Sequence, residues 1–327
     1  MTSVAKFSMS KYKAYMAAVM VTYHITTGVN YSDEFLVKSY RLVHNHTFPT
    51  AAKYSTCYDF HVAFKAIIAW GPIDKMTMKQ LRLAAMYMVK LDIIGRGICL
   101  RGMLWKQSEI KDKEGNSVKG QWSSRFAKAH CWVLKFKWPK SGGQAGGNES
   151  HAIRVYEPDL EFLQQHGSLD HYERIHTFKL LSEYHSRRER YRIEQMTAPD
   201  KNRFNHEGMF VSLPHTTRPT EALLTREGTA ALSSIKADTC GGVIRKFHEE
   251  CGIGQSAHST RGNVESMLLD AAIPKLDANL FTHIARHDVA TFKKYYYRPA
   301  PDSFLARLAK LEDSLINNCN LWTIIRL

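Results

Sequence analysis

A chain of 327 residues is long enough for about two domains and a sizeable buried core. Its 44% hydrophobic and 23% charged residues are the make-up of a folded protein, which excludes a disordered tail. Lys and Arg outnumber Asp and Glu by 45 to 31, a formal charge of +14 that favours a polyanionic partner, nucleic acid before others.

Residues 1–48 read as helical and tyrosine-rich, with Tyr12, Tyr15 and Tyr23 among Met and Ala. The apolar run Met16–Val21 is too short for a membrane span or a secretory signal. A turn-rich stretch at Phe48-Pro49-Thr50 predicts a domain boundary, with a linker over 49–56. Phe60, Val62, Phe64, Ile67 and Ile68 then predict a buried helix between Cys57 and Trp70, ended by Gly71-Pro72. A second helix is predicted over Met76–Leu91, with Leu81, Ala84, Ala85, Met88 and Leu91 on one face. It should stop near Gly95, with Arg96 at its end.

Alternation over Trp132–Trp138 predicts a strand, and Ala152–Tyr156 a second one. The glycine-rich run Ser141–Gly147 joins them as a β-hairpin. Between Arg101 and Ser150 there are ten Lys/Arg against four Asp/Glu, so this region carries much of the basic excess. Helix is predicted within Leu160–Gln195, and its charge-dense end Arg187–Arg192 reads as a solvated face. A short strand is predicted over Met209–Leu213, followed by helices over Ala237–Cys251, His258–Ala272 and around Phe292–Tyr297. The fold class expected is mainly α with a small antiparallel β-sheet (α+β). Six cysteines lie far apart with no C-x-x-C pair, against a disulfide framework. Cys240, His248, Cys251 and His258 share a segment, but their spacing matches no common zinc pattern, and no metal is expected.

The segment His258-Ser259-Thr260-Arg261 changes the argument. Positions i and i+3 share a helix face, so an imidazole and a guanidinium would project to one point. Downstream stand Thr282-His283-Ile284-Ala285-Arg286-His287 and, nine residues after His287, Tyr296 within Tyr295-Tyr296-Tyr297-Arg298-Pro299. A His-Arg pair, then a His, then a Tyr in this order resembles the C-terminal signature of tyrosine recombinases, the phage-integrase superfamily. Gly95-Arg96-Gly97-Ile98-Cys99-Leu100, running on to Trp105, is similar to the segment that carries that family's first catalytic arginine. Phe210-Val211-Ser212, Ala257–Gly262 and Thr291–Tyr296 resemble more closely the recombinases of Crypton and DIRS-like mobile elements. The likeness covers roughly residues 10–300.

The resemblance implies a tyrosine-recombinase catalytic domain over 57–300, preceded at 1–48 by part of a helical core-binding domain that grips DNA. A tail helix over 301–327 packs on its own domain or docks in trans on a neighbouring protomer. It also implies roles. Arg96 and Arg261 would clamp the non-bridging oxygens of a DNA phosphate, for which planar guanidinium forks are suited. Tyr296 would be the nucleophile, with Tyr295 and Tyr297 as the alternatives if the register is off by one. His258 would be the general base. Lys140 in the hairpin turn, with Lys137 as the alternative, would protonate the leaving 5′ oxygen, and His287 would hydrogen-bond the phosphate or brace the site. The phosphotyrosyl bond conserves the phosphodiester's energy, so no cofactor or ATP is expected, and no G-x-x-x-x-G-K segment is present. The partners implied are double-stranded DNA and three further copies in a homo-tetramer, with no membrane and no small-molecule substrate. The place implied is intracellular and DNA-associated, nuclear for a eukaryotic element. Two other readings stay open. A type IB topoisomerase shares the chemistry but works as a monomer. A degenerate or domesticated copy would only bind DNA, and Cys99 supports it, because the family often has an acidic residue there.

Overall fold

The structure is a computed structural model and describes residues 9–29, 39, 57–93, 99–100, 103–118, 128–137, 150–157, 173–195, 208–210, 237–256, 259–270, 297 and 302. Among these residues the protein is mixed α+β, with six α-helices and one three-stranded antiparallel sheet. The chain divides into two compact units, Met1–Ser55 and Thr56–Leu327. The expected linker at 49–56 lies outside the described residues, as does the tail helix apart from Asp302.

The first unit is described through helix α1, Met9–Thr27. Thr22 and Thr27 turn their hydroxyls back onto the carbonyls of Ala18 and Tyr23, at 3.0 and 2.7 Å. The helix stops at Gly28, whose φ of 70° suits glycine and whose N–H donates to the His24 carbonyl at 2.9 Å.

In the second unit, helix α2 spans Phe60–Ala69 and begins where the Asp59 carboxylate accepts from the His61 N–H. Phe60, Phe64 and Ile67 are buried on its inner face, while Val62, expected inside, is 43% exposed. Helix α3, Met78–Asp92, opens on a capping box in which Thr77 and Gln80 satisfy each other's backbone N–H groups. Every residue of α3 from Ala84 onward is buried, Lys90 and Asp92 included. It therefore lies inside the core, packed against α4 (Thr177–Gln195), α5 (Ala237–Glu250) and α6 (Ser259–Asp270). Fully burying a side chain such as Leu81 or Met88 contributes about 1.5–3 kcal/mol, enough to hold ionisable neighbours inside with it.

The sheet runs in the order β1 (Glu109–Lys111), β2 (Cys131–Lys137), β3 (Ser150–Tyr156). The β2–β3 hairpin is paired from Cys131↔Tyr156 to Lys137↔Ser150. Trp132, Leu134 and Phe136 point into the core, and the Trp132 indole N–H donates to Ser182 Oγ on α4 at 3.0 Å. Strand β1 was not predicted. Its three residues are too few to show alternation, and the Lys135–Glu109 ion pair ties it to β2.

Two sequence readings need correction. At the basic end of α4, Arg187 and Arg188 are not solvated, although Arg190 is exposed. Arg187 donates to the carbonyls of Met76, Ile73 and Asp74 and to Glu183, while Arg188, 2% exposed, donates to the carbonyls of Gly208 and Met209 at 3.0 and 3.2 Å. Those carbonyls sit in and after a short 3-10 turn and at an isolated bridge, outside the long helices, and a guanidinium's five donors can satisfy several at once. Nor does a strand begin at Met209. Gly208 forms an isolated bridge with Leu104, and Met209 and Phe210 bend, buried, beyond it. The rest of that segment, 211–213, lies outside the described residues.

Candidate active site

Of the six residues the sequence singled out, Arg261 alone is among the described residues. Arg96, Lys140, His258, His287 and Tyr296 lie outside them. Lys137, the alternative to Lys140, ends β2 in the last pair of the hairpin.

Arg261 is the third residue of α6 and is 6% exposed. Its Nε donates to Glu265 Oε1 at 2.8 Å, one helical turn on, and the Glu265 carboxylate is itself 1% exposed. The pair is thus out of water, where a charge-assisted hydrogen bond is strong and a lone charge is costly. Lys90 of α3 feels the charge of Arg261 and lies beside the thiols of Cys99 and Cys240. Burial lowers its ammonium to about 8. Cys99, the residue standing where the family often has an acid, is buried in this neighbourhood.

A second polar group braces the start of α6. The Tyr58 hydroxyl donates to Thr260 Oγ1 at 3.2 Å and lies 3.2 Å from Tyr87 Oη and 3.3 Å from His248 Nε2. His248 Nδ1 is 2.9 Å from the Gln255 carbonyl, which can only accept, so Nδ1 carries the ring proton. Burial lowers the His248 pKa, which keeps the ring neutral. The Gln255 side chain in turn accepts from Asn263 Nδ2 at 3.0 Å. Residues of α2's approach, α3, α5 and α6 therefore meet around one phenol, and the segment leading to His258 and Arg261 is tied at both ends.

Tyr297 gives a register. Its hydroxyl donates to Asp270 Oδ1 at 2.6 Å, which pushes the phenol up to about 12. Asp270 is nine residues beyond Arg261 on the same helix, about 13 Å along the axis and half a turn round it. A phenol bonded to that carboxylate is reluctant to lose its proton, which makes it a poor nucleophile.

Among the described residues no group of three or more His, Cys, Asp or Glu is placed to hold a metal. No helix among them is long and apolar enough to cross a membrane. No protein-family model matches the chain, and no curated protein matches it. Sequence reasoning missed Glu265, Lys90 and Tyr58, and weighed His248 only as a metal ligand. The first was within reach, since a Glu four residues after an Arg on a predicted helix is a recognised pair. The others carry no local signal.

Proposed function

We propose that the protein is a site-specific DNA recombinase of the tyrosine type, with a catalytic domain over 57–300. The observation that carries the reading is the placement of Arg261. It stands in the first turn of α6, three residues after His258, buried and held at Nε. The positive end of the helix dipole favours a phosphate at that same place. The basic excess of +14 supports duplex DNA as the substrate. The anchoring of Tyr297 on Asp270 supports Tyr296 over Tyr297 in the role of nucleophile.

In this reading the Tyr296 hydroxyl attacks the scissile phosphorus in line and the P–O5′ bond breaks. His258 takes the phenolic proton, and Lys140, or Lys137, delivers one to the departing 5′ oxygen. A 3′-phosphotyrosyl enzyme results, and attack by a 5′ hydroxyl reverses the steps. Arg96 and Arg261 stabilise the charge on the non-bridging oxygens, where preorganised cations lower such barriers by several kcal/mol, and His287 braces the phosphate. Neither metal nor ATP is consumed, because the covalent bond conserves the phosphodiester. The enzyme would act inside the cell as a homo-tetramer on two duplexes, in the nucleus for an element of the type resembled.

The test is to incubate the protein with nicked duplexes from the DNA flanking its gene, in chelator, and to resolve the products on a denaturing gel. A protein–DNA adduct lost in Tyr296→Phe supports the reading. DNA binding with no adduct refutes it in favour of a degenerate binder, while plasmid relaxation at monomer concentrations points to the type IB topoisomerase.

A further inference from the structure

We propose that Glu265 is the positioning residue of Arg261, supplying from within α6 the orienting carboxylate that Cys99 cannot provide. The inference rests on the recombinase reading and names a residue that reading does not use. A guanidinium is planar and rigid, so a hydrogen bond at Nε sets the direction of the Nη edge that would meet a phosphate. Glu265 makes that bond at 2.8 Å with its carboxylate 1% exposed, so water does not compete for it.

The charge arrangement points the same way. Arg261 lies in the electrostatic reach of a second buried cation, Lys90, and a phosphate clamp also needs Arg96 nearby. Cations gathered in low dielectric repel one another and favour collapse of the arginine away from the site. A carboxylate bonded to one of them offsets that repulsion. Cys99 lies beside the same lysine and offers a thiol, which accepts hydrogen bonds weakly. Glu265 is one turn from Arg261 on a single rigid helix, so the two side chains meet however the neighbouring segments move.

The experiment compares wild type, Glu265→Gln, Arg261→Lys and the double variant for the rate of adduct formation on a nicked duplex, with DNA affinity measured separately. Gln keeps the shape and an acceptor oxygen but loses the charge. Glu265→Gln should slow adduct formation by roughly 10- to 100-fold, the cost typical of removing an orienting partner at a metal site. DNA affinity should be unchanged. In the Arg261→Lys background the further loss should shrink to less than about 3-fold, because a residue acting through Arg261 has nothing left to orient. A loss of the same size in both backgrounds would assign Glu265 to the fold alone and overturn the proposal, as would a wild-type rate in Glu265→Gln. If Glu265→Gln fails to fold, Glu265→Asp keeps the charge on a shorter arm and should show the same slowed adduct at unchanged affinity. A wild-type protein that binds DNA and forms no adduct overturns the recombinase reading and this proposal with it. A normal wild-type adduct with an unaffected variant overturns only the role of Glu265.

Discussion

Tyr58→Phe removes one oxygen from the point where four segments of the core meet and leaves the ring in place. Three partners lose it: Tyr87 Oη at 3.2 Å, Thr260 Oγ1 at 3.2 Å and His248 Nε2 at 3.3 Å. These contacts are longer than the 2.7–2.8 Å usual for hydroxyl donors, so each belongs near the lower end of the 0.5–1.5 kcal/mol range, about 0.5 kcal/mol. No cavity forms, because the edge contacts of the ring with Phe60 and His248 are kept. A phenol has one proton, which goes to Thr260, and His248 Nε2 can only accept, so two hydrogen bonds are lost and the cost should come to about 1 kcal/mol, roughly a fivefold change in the folding equilibrium. Urea unfolding followed by tryptophan fluorescence should show a lower midpoint at unchanged slope. Tyr87→Phe shares one of these contacts, so the double variant should lose less than the sum of the singles by about 0.5 kcal/mol. A loss below about 0.3 kcal/mol, or strict additivity of the pair, would refute the idea that this phenol joins the segments.

Lys90 makes stability depend on pH. Its folded value of about 8 lies below the ordinary 10.5, so the unfolded chain holds more protons in between and stability rises with pH through that window. Between pH 8 and 9 wild type should gain about 1 kcal/mol relative to Lys90→Met, while Cys251, raised to about 11, pulls both proteins down alike. Parallel unfolding curves for the two proteins across that range would show that the buried ammonium does not titrate there. Thr77→Ala deletes the capping box of α3 and should cost about 1 kcal/mol in the same urea assay, with Gln80→Ala costing less. Tyr297→Phe should leave adduct formation within about 3-fold of wild type, since its hydroxyl is committed to Asp270; loss of the adduct in this variant would move the nucleophile to Tyr297.

The helices α2 and α3 and the β2–β3 hairpin were legible because each carries its own pattern: apolar spacing in the helices, Gly71-Pro72 as a stop, and alternation through Trp132, Leu134 and Phe136. What the sequence concealed is whatever depends on distant partners. Arg187 and Arg188 looked solvated because their own helix is polar, and the carbonyls they satisfy come from about 20 to 114 residues away. Tyr58 meets Thr260 across 202 residues and His248 across 190, separations that leave no local trace. In the candidate site, the order of His258, Arg261, His287 and Tyr296 was readable as a pattern. The carboxylate behind Arg261 is not part of that pattern, which has its acid at the position of Cys99.

The hairpin also bears on how this chain can change over evolutionary time. Lys137 and Ser150 face each other as the last of seven consecutive pairs, so the two ends of the stretch between them are held about 5 Å apart whatever that stretch contains. What joins those ends does not set the register, because seven consecutive pairs already do. One residue more or fewer inside Cys131–Lys137 would instead send Trp132, Leu134 and Phe136 to the opposite face. The paired strands themselves therefore accept substitutions but no insertions, and length differences among related chains should fall outside Cys131–Lys137 and Ser150–Tyr156.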